Sequence, residues 1–110
     1  MIFNKEGNTT IILQEKAVLE TFIKKVHGSY DTIKNDNIIV NLFSFSELTK
    51  NDVLEFYQLS NKHRASNKSF VLVTNKVSYD EVPDEIQVVP TLQEAKDIIE
   101  MEEIERDLGI

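Results

Sequence analysis

The sequence predicts an α/β domain whose mainly parallel sheet has four to five strands and begins with an N-terminal β-hairpin. Short runs that are almost wholly apolar alternate with segments of helical periodicity, which is the pattern of strands joined by crossover helices. The apolar runs lack the polar alternation of half-exposed strands, as expected for a sheet that is covered on both faces. The expected order is β-β-α-β-α-β-β-α, in one domain over residues 1–110 with right-handed crossovers.

A hairpin and a helix are expected in the first third of the chain. The turn-forming pair Gly7-Asn8 separates Ile2-Phe3 from the β-branched run Thr9 to Leu13, which indicates two strands. Apolar residues then recur at spacings of four and three, and this predicts a helix with one buried face. That face consists of Leu19, Phe22, Ile23, Val26, Tyr30 and Ile33. Gly28 either interrupts this helix or only weakens it.

Three covered strands and a second helix follow. The run 38–43 is nearly continuous apolar and is expected to be the central strand. Thr49 places a hydroxyl acceptor at a helix start with Asp52 three residues later, a weak form of the capping box, and the helix should extend to Ser66. Runs 70–74 and 86–89 are the remaining strands, and 75–85 is expected to be a loop with one short turn.

The final helix is expected over about residues 92–107 and carries two apolar stripes. Thr91 is placed to cap the amide of Glu94, while the Glu94 side chain reaches back to Thr91. At about 100° per residue, one helix face is apolar in the first half of the helix, and nearly the opposite face is apolar in the second half. The first stripe is Leu92, Ala95 and Ile99, and the second is Met101, Ile104 and Leu108.

One helix cannot bury both stripes against a single sheet, so two interpretations are open. The helix could break near Glu100 so that the tail folds back, since apolar stripes usually belong to a core. Alternatively, the second stripe stays exposed as a surface for a partner or a second copy of the chain. Its acidic rim would consist of Glu102, Glu103, Glu105 and Asp107.

Charge and composition exclude several function classes. The net charge is -7, which disfavours nucleic acids and anionic membranes as main partners. The acidic residues are concentrated at the C-terminal end of the sequence, since residues 80–110 hold eleven Asp and Glu but only two Lys and Arg. There is no Cys, which fits a reducing compartment, and no run of about 18 apolar residues that could span a membrane. A cytoplasmic location is therefore expected.

A small basic group interrupts this acidic background. Lys62, His63, Arg64 and Lys68 could contact phosphate, but no aromatic residues are interleaved with them. Basic side chains are also favourable at the carboxyl end of a helix, and that interpretation is preferred.

No catalytic or cofactor motif is found. The two His, His27 and His63, have no metal-ligand spacing, and neither Ser29 nor Ser44 has the context of a nucleophile elbow. The three Gly are isolated, so no phosphate-binding loop is present. Acidic pairs such as Asp84 with Glu85 are interpreted as part of a solvated loop. The sequence thus predicts no enzyme activity, no cofactor and no metal site.

The order of elements resembles a STAS domain, the fold of bacterial anti-sigma-factor antagonists and of the cytoplasmic tails of sulfate transporters. The marks are the central strand 38–42, the loop 44–48 that leads into the helix at Thr49, the strand 70–74, and the helix opening 90–95. The resemblance implies about three helices packed mostly on one side of the sheet, and a regulatory role through protein contact. It covers nearly the whole chain.

Antagonists of this family carry an Asp-Ser-Ser-Gly-like motif in which a partner kinase phosphorylates a Ser. The matching stretch here is Thr49-Lys50-Asn51-Asp52, with Asn51 at the phosphoserine position. The Asp and Gly of the motif are not retained, so the resemblance does not imply a phosphorylation switch. Thr49 is interpreted as a helix cap.

The acidic C-terminal end, 98–108, also resembles small bacterial proteins that are often labelled ribonuclease Z. Ribonuclease Z needs a metallo-β-lactamase fold, an HxHxDH motif and a chain several times longer. This sequence has none of the three. The label ribonuclease Z on such small proteins is therefore interpreted as transferred from another gene.

The leading hypothesis is a non-catalytic, cytoplasmic bacterial interaction module of the STAS type that binds a protein partner. Two candidate surfaces are predicted. The first is a helix start with its preceding loop, comprising Ser46, Glu47, Thr49, Lys50, Asn51 and Asp52. The second lies on the C-terminal helix and comprises Met101, Glu102, Ile104, Glu105 and Leu108. The alternatives are an accessory RNA-processing factor or enzyme that uses Lys62, Arg64 and Lys68, and a homodimer through the tail stripe.

Overall fold

A computed structural model describes residues 1–14 and 18–109 of the chain. The strands are β1 (Ile2–Glu6), β2 (Thr9–Leu13), β3 (Asn37–Asn41), β4 (Phe70–Val73) and β5 (Gln87–Val89). The helices are α1 (Leu19–Ile33), α2 (Lys50–Leu54), α3 (Tyr57–Ala65) and α4 (Leu92–Leu108), with a short 3-10 helix at Tyr79–Glu81. Among the described residues, no helix is long and apolar enough to cross a membrane.

The five strands form one sheet in the order β1-β2-β3-β4-β5. β1 and β2 are antiparallel, and every later neighbour is parallel, so the predicted hairpin and mainly parallel sheet are confirmed. β3 lies in the middle, as its apolar sequence indicates. The hairpin turn uses Gly7 at φ 60°, the left-handed value that a type II′ turn needs at its first central residue.

Successive side chains of β2 to β5 enter opposite cores, as the period of a β-strand requires. The edge strand β1 is exposed along its whole length. One core contains alternate residues of the strands together with the buried faces of α1, α2 and α3. The smaller core, on the other face, joins the strands to α4 through Ile11, Ile39, Val71, Val73, Ala95 and Ile99. The α/β class is therefore confirmed, with three of the four α-helices on one side of the sheet.

The middle helix differs from the prediction because it is two helices with a break at Glu55-Phe56. The amides of Glu55 and Phe56 bond to carbonyls three residues back, which ends α2, and the Ser60 amide then bonds to the Phe56 carbonyl in α3. The Phe56 side chain is fully buried and packs against Phe70. The break therefore brings a large aromatic group into the core. Gly28, by contrast, lies within an uninterrupted α1.

The final helix is continuous, so the interpretation in which it breaks near Glu100 and folds back is wrong. Thr91 caps it by accepting a hydrogen bond from the Glu94 amide at 3.1 Å, although no return bond from the Glu94 side chain accompanies it. The second half of α4 does not fold back because polar side chains on its inner face bind the rest of the domain. Its apolar stripe consequently faces solvent.

Candidate partner-binding surfaces

The first predicted surface, the loop and helix start, is built on a capping box. Thr49 Oγ1 accepts a hydrogen bond from the Asp52 amide at 3.3 Å, and Asp52 Oδ2 accepts one from the Thr49 amide at 2.9 Å. Two amides of the helix start are thereby satisfied, which confirms the predicted capping role of Thr49. The Thr49 hydroxyl also donates to Asp52 Oδ2 at 3.1 Å. This residue therefore has a structural function in the helix start.

The same loop follows the carboxyl end of β3 and is anchored by Phe45 and Leu48, which are buried in the larger core. Five polar residues of the predicted surface are exposed, whereas Asp52 is half-buried beside Thr49. Four of these are Ser46, Glu47, Lys50 and Asn51, and the fifth exposed residue of the surface is Thr49 itself. Phe43 adds an exposed apolar side chain at the start of the loop. The result is a polar surface with a single aromatic residue.

The second predicted surface depends on what the inner face of α4 contacts. Asn37 and Ser69 precede Ile39 and Val71 by two residues, so their side chains point to the α4 side of the sheet. Ser69 Oγ donates to Glu102 Oε1 at 2.6 Å. The other oxygen of Glu102 forms a salt bridge with Arg64 at 3.3 Å. The carboxylate thus joins α4 to α3 and to the start of β4.

Glu103 and Arg106 extend this network. Glu103 Oε2 accepts hydrogen bonds from Asn8 Nδ2 at 2.6 Å and from Asn37 Nδ2 at 3.2 Å. The Arg106 guanidinium donates to Ser69 Oγ at 3.2 Å and to Asn37 Oδ1 at 3.3 Å. Charge-assisted bonds of this kind are directional. They therefore hold the far half of α4 in one orientation after its apolar contacts end at Ile99.

The stripe of Met101, Ile104 and Leu108 lies on the opposite side of α4 from this network. The three side chains are 54%, 53% and 70% exposed, respectively. Glu105 is also exposed and lies beside them. Glu102 was predicted to be part of this surface, but the structure directs it toward Ser69 and Arg64. Glu103, predicted as part of the rim, is likewise directed inward.

The predicted basic group does not form one positive surface. Lys62, His63 and Arg64 lie in the last turn of α3, which confirms the helix-end interpretation for these three residues, whereas Lys68 lies beyond the helix. Arg64 is neutralised by Glu102, and Lys62 lies 5.1 Å from the centre of the Tyr30 ring. His63 is fully buried, and burial lowers its pKa, so the ring is held in the neutral form.

The two predicted partner surfaces lie at opposite ends of the central strand β3. The Ser46 to Asp52 loop follows the carboxyl end of β3, whereas the far half of α4 contacts Asn37 at the amino end of the same strand. The structure therefore does not combine them into one site. Sequence reasoning missed the polar network beneath α4. Its signal was present, because 100° per residue places Glu102, Glu103 and Arg106 on the same side of the helix as Ala95 and Ile99.

Within residues 1–14 and 18–109, no three His, Asp or Glu side chains are grouped closely enough to hold a metal ion. No family model matches the sequence, and no curated protein matches it.

Proposed function

We propose that this chain is a non-catalytic, cytoplasmic bacterial interaction module of the STAS type, which regulates a protein partner by contact through the outer face of α4. The observation that carries the proposal is the exposed stripe of Met101, Ile104 and Leu108 on a helix whose inner face is fixed by polar bonds. Exposed apolar side chains that recur at helical spacing are typical of docking faces.

Rigidity of the helix favours this use of it. A helix held only by apolar packing could rotate to bury the stripe, whereas the hydrogen bonds of Glu102, Glu103 and Arg106 oppose such rotation. The stripe is therefore presented to solvent in a preorganised geometry, which reduces the entropy lost when a partner binds.

The STAS assignment is supported by the arrangement that the resemblance implies. The chain has an N-terminal hairpin, a parallel sheet and three helices on one face. Asn51, at the phosphoserine position of the family motif, is exposed on α2 and cannot be phosphorylated as a Ser is. We therefore propose that phosphorylation at position 51 does not control the binding of the protein partner.

The RNA-processing alternative has less support. It needs Lys62, Arg64 and Lys68 to act together on phosphate, yet Arg64 is paired with Glu102. The acidic helix α4 lies directly beside this pair, so its carboxylates oppose the approach of a polyanion.

Affinity capture from native lysate tests the proposal. The wild-type chain is compared with a stripe variant, Met101→Ser, Ile104→Ser and Leu108→Ser, and with a loop variant, Glu47→Ala, Lys50→Ala and Asn51→Ala. Circular dichroism and thermal unfolding confirm that all three are folded. We expect the wild type and the loop variant to capture the same partner and the stripe variant to lose it.

Two results would contradict the proposal. Capture by the stripe variant but not by the loop variant would move the site to the start of α2. Loss of folding in the stripe variant would assign the three residues to the core, which their exposure argues against.

A further inference from the structure

The charges around the stripe specify the chemistry of its occupant. We infer that the segment which binds α4 is a basic amphipathic helix, with apolar residues at heptad spacing and Lys or Arg on both flanks. This inference rests on the proposed function and adds the partner's chemistry to it.

Exposed acidic side chains surround the stripe. Glu100 and Glu105 flank it on either side, and neither has an ion-pair partner within residues 1–14 and 18–109. Glu94 and Asp97 continue the acidic surface toward the start of the helix, and both are exposed. A partner with cations in matching positions would neutralise these carboxylates.

The two cations of α4 are both directed away from this face. Lys96 Nζ lies 3.1 Å from Glu6 on β1, and Arg106 donates to Ser69 and Asn37 beneath the helix. The solvent side of α4 is consequently apolar in its centre, and the charged side chains that α4 itself presents there are acidic. Lys68, before β4, lines the groove beside Glu100 and Ile104 on one flank. Such a surface favours a cationic partner over a neutral or acidic one.

A second copy of this chain does not fit these charges. Antiparallel pairing of two α4 helices would place Glu100 and Glu105 of each copy against the same acidic residues of the other. Like charges that face each other directly are destabilising. The apolar area that three side chains from each copy would bury is too small to offset this repulsion. An anionic lipid surface is disfavoured for the same reason.

The spacing of the seam favours a helix as the binding element. Asp97, Met101, Ile104 and Leu108 follow one another at intervals of four, three and four residues, the a/d pattern of a coiled-coil face. This seam is about 17 Å long, which corresponds to about three turns of a partner helix. Asp97 is a polar residue within the seam, where a single charge fixes register, so a Lys or Arg is expected opposite it.

Titration of the full chain with three synthetic peptides tests the inference. The basic peptide carries Leu at a and d positions, except for one Lys opposite Asp97, and Lys on the flanks. The acidic peptide replaces every flanking Lys by Glu, and the third peptide keeps every Lys but has Ser in place of the Leu residues of the seam. Binding is followed by amide chemical shifts. We expect the basic peptide alone to saturate, with shifts centred on Met101, Ile104 and Leu108.

Salt dependence and charge reversal supply the controls. The affinity for the basic peptide should fall about tenfold between about 50 mM and about 500 mM salt, because the contacts on the flanks are exposed. A Glu100→Lys and Glu105→Lys variant should prefer the acidic peptide. A Glu55→Lys and Asp84→Lys variant, with the same change in net charge on exposed positions outside both candidate surfaces, should keep the preference of the wild type.

The inference and the proposed function can fail separately. The inference is overturned if the basic peptide shows no saturable shift at millimolar concentration, if all three peptides bind alike, or if the Met101→Ser, Ile104→Ser, Leu108→Ser variant binds the basic peptide as the wild type does. It is also overturned if sedimentation shows a dimer that this variant abolishes. The capture experiment reports on the proposed function whatever the peptides do.

Discussion

The phenol oxygen of Tyr30 lies 2.7 Å from Nδ1 of His63, where α1 packs against α3. The other ring nitrogen, Nε2, lies 2.8 Å from the backbone carbonyl of Asp36. A carbonyl can only accept, so Nε2 carries the hydrogen and Nδ1 accepts from the Tyr30 hydroxyl. Both ring nitrogens of the fully buried imidazole therefore have a hydrogen-bond partner, and the pair has a structural role.

His63 should make the protein less stable in mild acid. Burial lowers the pKa of His63 below its ordinary value of 6.5, so below that pH the unfolded chain binds a proton that the folded chain does not. The free energy of unfolding should therefore decrease as the pH falls through 6.5 toward the lowered pKa. Urea unfolding at several pH values measures this. A His63→Gln variant should show a shallower decrease, and equal slopes would contradict the prediction.

Removal of the Tyr30 hydroxyl should destabilise the fold. Tyr30→Phe leaves Nδ1 of a buried His63 without a donor, and we expect a loss of about 1–2 kcal/mol in the free energy of unfolding. Tyr57→Phe is the matched control, because the Tyr57 hydroxyl donates to Glu85 at 2.9 Å in an exposed position. Its loss should be below about 0.5 kcal/mol. Equal effects of the two substitutions would argue against a special role of burial.

Two neighbouring carboxylates of α4 should differ in their effect on stability. Glu102→Ala removes the acceptor of Ser69 and the counterion of Arg64, and should cost about 1–3 kcal/mol. Glu105→Ala removes an exposed carboxylate beside the stripe and should change stability by less than about 0.5 kcal/mol. Chemical denaturation of both variants checks this. An unchanged free energy of unfolding in the Glu102→Ala variant would show that this network does not stabilise the fold.

Two glycines should respond in opposite directions to the same substitution. A Cβ at Gly28 meets nothing within 4 Å, and the residue lies inside α1, so Gly28→Ala should stabilise the protein by about 0.5–1 kcal/mol. Gly7 is equally unobstructed but has φ 60°, so Gly7→Ala should destabilise by about 1 kcal/mol. Thermal unfolding distinguishes the two. A stabilised Gly7→Ala variant would contradict the assigned turn.

Most of the fold could be predicted because burial on both faces leaves a clear pattern in the strands. β2 begins and ends at the predicted Thr9 and Leu13, and α1 spans the whole predicted apolar face. The break between α2 and α3 could not be predicted, since no Gly or Pro marks it. It depends on the tertiary packing of Phe56 against Phe70.

The candidate site was predictable only in part. The helical projection identified the stripe of Met101, Ile104 and Leu108, which the structure exposes. The fold-back interpretation was wrong because α4 is continuous and its inner face is held by polar contacts rather than by the stripe. The alternative with an exposed stripe placed Glu102 and Glu103 in a solvated rim, whereas the structure directs both inward. The helical projection places Glu102 on the inner face of α4, but its partners on α3 and before β4 are distant in the chain and are not identified by that periodicity. Burial of His63 was hidden for the same reason, since Tyr30 is distant in the chain.

The sheet order has a kinetic consequence. Because each strand pairs with its neighbour along the chain, the sheet can assemble through successive loop closures, whereas α4 makes contacts of much longer range. Glu103 meets Asn8 across 95 residues, and Lys96 meets Glu6 across 90. Docking of α4 should therefore follow the rate-limiting step. In stopped-flow experiments, Glu103→Gln should accelerate unfolding and leave the refolding rate almost unchanged.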